Sequence, residues 1–284
     1  MTITAIAVLG AGTMGHGIAH AAIAAGYEAS LYDVSAEAVA KGVDAIQAIS
    51  ARAVELGKAA SADAAAMMKR LQATTAVERA VGNVDFIIEA APEQLDVKIA
   101  LLEEVDRLAP PQAVIATNTS ALSITELAGA TRRAPQVAGM HFFNPVHKMK
   151  LVEIVRALES APATLQAIED VARRMGKETV LVRESPGFIT TRVNAGIGNE
   201  AFYMLMEGVA SARDIDKALK LGLNHPMGPF ELVDLVGLDT RLNILEYLHR
   251  SLGEKYRPCP LLVQYVKAGR LGKKVGRGVY EYPA

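Results

Sequence analysis

"AIAVLGAGTMGHGIAHAAIAAGYEASLYD", residues 5–33, decides the fold. The run from Ala5 to Leu9 is short, apolar and rich in β-formers, and it ends in glycines. An alanine-rich helical run continues to Gly26, a residue suited to a helix C-cap, and "EASLYD" reads as the next strand. Strand, tight turn, helix and strand in that order make a parallel βαβ unit.

Working outward, the alternation continues. Residues 35–72 read as helix with a break near Gly57; "VDFIIEAA" (84–91) and "AVIATN" (113–118) are buried strands, with the helix "LDVKIALLEEVDRL" (95–108) between them. This predicts an α/β, Rossmann-type, doubly wound and mostly parallel sheet. Near residue 136 the alternation stops. "QVAGMHFF" (136–143) and "KLVEIV" (150–155) are separated only by "NPVHKM", too short for a parallel crossover, so this pair is expected to be antiparallel. A helix (162–175) and a strand (178–184) complete a first domain, residues 1–184. Residues 185–284 read as a second, all-helical C-terminal domain, with "SARD" (211–214) matching a capping box and "NHPMGP" a rigid break.

Gly10-Ala11-Gly12-Thr13-Met14-Gly15 matches G-x-G-x-x-G. It follows a strand and opens a helix, and Asp33 ends the next strand 18 residues after Gly15, which together is the dinucleotide-binding context. Gly10 allows the tight turn, Gly12 lets the backbone approach a pyrophosphate, and Gly15 permits close helix packing. Thr13 and Met14 open the helix, whose N-terminal N–H groups face the phosphates. The Asp33 carboxylate would bond the ribose 2′-hydroxyl of NAD and repel the 2′-phosphate of NADP. At about 4 Å and an effective dielectric near 20 that repulsion costs roughly 4 kcal/mol. Val34 and Ser35 supply no compensating arginine.

Composition narrows the classes. The chain has 284 residues, 51% hydrophobic and 21% charged, an ordinary soluble globular balance for two domains. A net charge of -1 gives no bulk attraction to nucleic acid or acidic membranes. Cys259 stands alone, which excludes a disulfide framework within one chain and fits a reducing, cytoplasmic compartment. Met1 to Tyr27 carries no charged residue, yet five glycines, two histidines and the lack of a basic flank argue for a buried strand and helix over a membrane span.

Three segments carry candidate chemistry. Ser120, in "ATNTSALS", follows a parallel strand and falls at the carboxyl edge of the sheet, where ligands bind; it also reads as a plain turn residue before a helix that Ser123 caps toward Glu126. In an antiparallel hairpin whose turn centres on His147, residue 141 lies opposite 153. Directly opposed side chains have Cβ atoms about 5 Å apart, so Glu153 would bond one imidazole nitrogen of His141 and fix its tautomer, leaving the other nitrogen to take a proton. That register is an assumption. A metal site would use His141 and His147, but no third ligand has recognisable spacing, so no metal is expected; His147, beside Lys148 and Lys150, reads as a solvated turn residue.

"GAGTMGHGIA", "EAAPEQLDVK", "TNTSALSI", "HFFNPVHKMKLVEIV", "SPGFITTR" and "HPMGPFELVDLVGLDT" together resemble the 3-hydroxyacyl-CoA dehydrogenase family over nearly the whole chain. The resemblance is closest to stand-alone bacterial members that act on the short 3-hydroxybutyryl-CoA. It implies NAD-dependent oxidation of an L-3-hydroxyacyl-CoA to the 3-oxoacyl-CoA, by a Rossmann domain and a helical domain that forms a homodimer. It implies that His141 is the general base, that Glu153 orients it, and that Ser120 bonds the substrate oxygen with Asn144 beside the nicotinamide. Glu93, Lys98 and Lys274 would join Asp33 in holding the cofactor, and Ser50, Arg52 and Lys58 would contact the acyl-CoA. The family usually has asparagine where this chain has Thr191, so Thr191 is expected to take its place, with Asn194 as the rival. Related hydroxyacid or carnitine dehydrogenases on the same scaffold, and a non-enzymatic NAD-binding structural protein, are the other readings; intact Ser120, His141 and Glu153 argue against the last. β-Hydroxyacid dehydrogenases use a catalytic helix lysine, and none lies near "SPGFITTR".

Overall fold

Gly10 and Gly15 explain how a strand turns into a helix in so few residues. Gly10 has φ +107°, and a Cβ there would lie 2.4 Å from the Ala90 carbonyl oxygen. A Cβ on Gly15 would lie 1.7 Å from the Gly10 oxygen. Only glycine lets the first helix start directly above the strand end and beside the neighbouring loop.

The computed structural model describes residues 2–283. Its contacts divide the chain into two units, Met1–Ser185 and Pro186–Ala284. In the first, β1 (Ala5–Leu9), α1 (Thr13–Ala24), β2 (Glu28–Tyr32), α2 (Ala36–Glu55), α3 (Ser61–Met68), β3 (Leu71–Thr74), α4 (Val77–Val81) and β4 (Phe86–Glu89) follow in order. Then come α5 (Leu95–Leu108), β5 (Val114–Thr117), α6 (Ile124–Gly129), β6 (Val137–Phe142), β7 (Leu151–Arg156), α7 (Pro162–Arg174) and β8 (Glu178–Arg183). The eight strands form one sheet in the order β3-β2-β1-β4-β5-β6-β7-β8. All neighbours are parallel except β6 and β7. The strand order reverses between β1 and β4, and in open α/β sheets that reversal opens a crevice at the carboxyl edge.

Helices cover both faces. On one, Ile18, Ala19, Ala22 and Ile23 of α1 pack with Ile46 of α2 and Ile168 of α7 against Ile6, Val8, Phe86 and Met140. On the other, Val77, Leu102, Val105 and Leu127 pack against Ala7, Ile87 and Ile115. With both faces covered, the central strands β1, β4, β5 and β6 are buried along nearly their whole length, without alternation. The uncharged N-terminal stretch is thereby accounted for by β1 and a 12-residue α1. Among the described residues, no helix is long and apolar enough to cross a membrane.

One element departs from the sequence reading. Residues 35–72 are not helix with a single break: α2 ends at Glu55, α3 spans 61–68, and Leu71–Thr74 is a strand paired with β2 at the sheet edge. That strand has only four residues, and Gln72 and Ala73 are exposed, so no apolar run announces it.

The second unit comprises α8 (Thr190–Met206), α9 (Ala212–Gly222), α10 (Pro229–Val236), α11 (Leu238–Leu252) and α12 (Pro260–Lys267). Phe202, Phe230, Leu245 and Leu248 form its core, with the Phe202 and Phe230 rings edge-to-face at 5.2 Å. The closing segment is a strap pinned by two buried carboxylates. Asp234 accepts from the backbone of Val279 (2.7 Å) and Tyr280 (2.9 Å) and from the Tyr282 hydroxyl (2.8 Å). Asp216 accepts from the Tyr280 hydroxyl at 2.7 Å. Burial and this carboxylate push the Tyr280 phenol well above its ordinary range.

Candidate active site

Glu153 sits inside the sheet, paired with Val180 on one side and His141 on the other, and is fully buried. The antiparallel ladder runs Gly139↔Val155, Met140↔Ile154, His141↔Glu153, Phe142↔Val152, so the assumed register is the observed one. His141 Nδ1 lies 2.7 Å from Glu153 Oε2. A carboxylate this deep is tolerable only when bonded, and an ionised acceptor makes Nδ1 the protonated nitrogen. The Phe143 ring packs on the imidazole at 4.6 Å between centroids, tilted by 54°. His147 lies exposed on the hairpin turn, its ring edge-on to His20 at 6.4 Å. Burial, with cationic neighbours, pushes the His147 imidazole down from its ordinary value. Asn144 is exposed on the same turn, joined to Pro145 by a cis peptide bond. Among the described residues, no group of three or more His, Cys, Asp or Glu is placed to hold a metal ion.

Ser120 lies three residues past β5, on a turn fastened from two sides. Asn118 Oδ1 accepts from the Phe142 backbone at 2.8 Å, which ties the turn to the strand that carries His141. Glu93 Oε1 accepts from the Thr119 hydroxyl (2.6 Å) and from the backbone N–H of Ser120 (2.7 Å) and Ala121 (3.2 Å). Beyond the turn, Ser123 caps α6 by accepting from the Glu126 N–H at 3.2 Å, and its hydroxyl donates to Glu184 at 2.7 Å. Lys98, 1% exposed, reaches Glu89 Oε1 (2.7 Å) and the Ala91 carbonyl (3.1 Å), with Glu93 Oε2 at 3.5 Å. Its ammonium is therefore held mainly by Glu89, with Glu93 the more distant carboxylate. Glu89, Thr117, Asn118 and Thr119 carry no distinguishing signal in the sequence. Each resembles an ordinary strand-end residue there, and only the parallel pairing of Glu89 with Thr117 brings their side chains together.

The glycine loop fits a dinucleotide. Where Gly10 and Gly15 are required by the fold, a Cβ on Gly12 would meet nothing within 4 Å, so the loop is open to its surroundings at that point. Helix α1 has no side-chain cap, unlike α2, α6 and α9, which Ser35, Ser123 and Ser211 cap. Its first N–H groups are thus presented with no competing side chain. Thr13 is exposed there and Met14 half-buried. Asp33 Oδ2 accepts from the Ala11 N–H at 2.9 Å and Oδ1 from the Ser35 N–H at 3.1 Å, which fixes the acid beside the loop.

Other expected contacts are dispersed. Ser50 is 5% exposed and its hydroxyl donates to the Ile46 carbonyl one turn back at 2.9 Å. Arg52 is exposed and pairs with Glu55 at 2.8 Å, and Lys58 is exposed between α2 and α3. Thr191 and Asn194 belong to the second unit, both half-buried in the first turns of α8. Lys274 belongs to that unit too, its ammonium 2.6 and 2.7 Å from the two carboxylate oxygens of Asp239.

The fold and the glycine loop define the class as a dinucleotide-binding α/β protein, with the His141–Glu153 contact at the carboxyl edge of its sheet. Residues 5–185 match the family described as 3-hydroxyacyl-CoA dehydrogenase, NAD binding domain, and residues 187–282 match its C-terminal domain. The chain is 46% identical over 283 residues to a probable 3-hydroxybutyryl-CoA dehydrogenase of Bacillus subtilis (strain 168), covering 99% of this chain and 98% of that one. It is 42% identical over 281 residues to a 3-hydroxybutyryl-CoA dehydrogenase of Bradyrhizobium diazoefficiens, covering 99% and 96%. The crystal structure of an (S)-3-hydroxybutyryl-CoA dehydrogenase from Ralstonia eutropha superposes with a TM-score of 0.96 at 42% identity, covering all of both chains. The chain belongs to the 3-hydroxyacyl-CoA dehydrogenase family, NAD-dependent oxidoreductases.

Asp33 yields a direct expectation on the cofactor. With neither Val34 nor Ser35 basic, NADH should be preferred over NADPH by about two decades or more in specificity, the scale set by a repulsion of a few kcal/mol. Equal efficiency with the two in steady-state assays would mean that the end of β2 has been misassigned.

Proposed function

We propose that this protein interconverts an L-3-hydroxyacyl-CoA and the 3-oxoacyl-CoA, with 3-hydroxybutyryl-CoA as its working substrate. The observation that carries the reading is the buried His141–Glu153 contact at the carboxyl edge of the sheet. The names of the bacterial relatives, and the (S) configuration named for the Ralstonia eutropha enzyme, support the substrate. NAD, held by Gly10, Gly12, Thr13, Met14, Gly15 and Asp33, supplies the hydride acceptor when bound. In the oxidation, His141 takes the proton of the substrate 3-hydroxyl on Nε2 as the C3 hydride leaves. Glu153, bonded at Nδ1, stabilises the imidazolium that forms. Ser120 donates a hydrogen bond to the same substrate oxygen, and Asn144 contributes from the adjacent turn. In the reverse direction His141 returns the proton to the oxygen of the reduced ketone. Thr191, Lys274, Arg52 and Lys58 are carried over from the family as further contacts to substrate or cofactor.

The test is NADH oxidation by acetoacetyl-CoA, with free acetoacetate as control. Wild type should turn over the thioester, and His141→Ala should lower turnover by at least ~10²-fold, the usual scale of general acid–base catalysis, with NADH binding nearly unchanged. Turnover within a few-fold of wild type would remove His141 from this role, and activity with neither substrate would remove the reading.

The same proposal includes a homodimer formed through the second unit. Val193, Leu221, Leu223 and Leu235 are each more than half exposed in a single copy, an apolar load that a two-fold interface would cover. Light scattering should give twice the 30.2 kDa of one chain, and a single-chain mass at micromolar concentration would refute it. Buried Cys259, the chain's one cysteine, suits a reducing cytoplasm, which cell fractionation checks.

A further inference from the structure

Glu89 closes β4 at the reversal of strand order and is fully buried. Its two oxygens are fully engaged: Oε1 accepts from Lys98 Nζ and from the Ala91 N–H, both at 2.7 Å, and Oε2 accepts from the Thr117 hydroxyl at 2.6 Å. Its backbone carbonyl accepts from the Asn118 N–H at 2.7 Å. One residue therefore fixes the start of the 90–94 loop, the end of β5 and the ammonium of Lys98. The next residue, Ala90, is the one whose carbonyl abuts Gly10. Lys98 is held unequally, 2.7 Å from Glu89 and 3.5 Å from Glu93. Glu93 in turn spends its other oxygen on Thr119, Ser120 and Ala121.

We propose that Glu89 is a positioning residue for Ser120: by holding Lys98 back, it leaves Glu93 on the Ser120 turn. The proposal rests on the functional reading above for what Ser120 does, but not for where it sits. A buried ammonium must have a carboxylate close by. If Glu89 loses its charge, Lys98 has one carboxylate within reach, and the 3.5 Å contact with Glu93 should close. Glu93 would then leave the Ser120 and Ala121 amides, and the turn would loosen although no residue in it has changed. Removing Lys98 as well takes away the pull, and the three donors of the turn should keep Glu93 in place. A buried pair replaced on both sides by neutral groups of similar shape costs far less than one partner removed alone.

The experiment compares wild type, Glu89→Gln, and Glu89→Gln combined with Lys98→Met, using hydrogen–deuterium exchange over residues 119–121 beside turnover of NADH with acetoacetyl-CoA. In Glu89→Gln the amides of Ser120 and Ala121 should lose protection while those of Ile87 and Ile115 keep it, and kcat should fall about tenfold or more, the scale of one charge-assisted hydrogen bond. The double variant should regain the protection, a coupling that two independent structural defects would not produce. Unchanged protection in Glu89→Gln overturns the proposal, as does a double variant as loose as the single one. If Glu89→Gln does not fold, the double variant alone decides, because wild-type protection at Ser120 is required of it. The exchange readout needs no substrate, so a wild type inactive on acetoacetyl-CoA would sink the functional reading and leave this test standing.

Discussion

A carboxylate buried in the middle of an eight-stranded sheet needs a donor, and for Glu153 that donor is the imidazole directly across the ladder. The single antiparallel pairing of the sheet, β6 with β7, makes this possible. Had β7 paired in parallel, a crossover would separate the two residues and no short-range rule would oppose them. A one-residue slip would be as damaging, because it moves every side chain to the opposite face. The reversed hairpin also sets the edge of the sheet at which His141 lies. β6 runs parallel to β5, so His141 emerges at the same edge as the Ser120 turn, and Asn118 ties that turn to Phe142, the residue after His141.

The crevice between β1 and β4 adds the second half of the site. There the demands on the chain are steric: a glycine with positive φ against the Ala90 carbonyl, and a helix started without a side-chain cap. The two halves are joined by buried charge. From Thr117 through Glu89, Lys98 and Glu93 to Thr119, each polar group answers the next, so the loop beside Gly10 and the turn at Ser120 share one scaffold. Such groups are costly to bury singly and tolerable as a satisfied set.

These features differ in how far the chain order reveals them. The glycine loop and its acid are legible because both lie within one βαβ unit. The β6–β7 hairpin is legible because a six-residue link is too short for a parallel crossover, whereas the 141–153 register had to be assumed and is the observed one. β3 is not legible, since four residues at an exposed edge carry no hydrophobic period. The burial of Ser50 is not legible either, because a serine bonded to the carbonyl one turn back looks, in one dimension, like any other helix serine. The Glu89 network is hidden for another reason: it joins side chains 28 residues apart through parallel strand pairing, which no local pattern encodes.

The central claim is that a buried carboxylate orients His141 and supports its charge, and Glu153→Gln tests it most directly. The amide keeps the shape and one acceptor but loses the charge. The account predicts a variant with wild-type circular dichroism and NADH affinity whose turnover of acetoacetyl-CoA falls by about 10²-fold, because the imidazolium loses its counter-charge. A Glu153→Gln enzyme that turns over at the wild-type rate would contradict it.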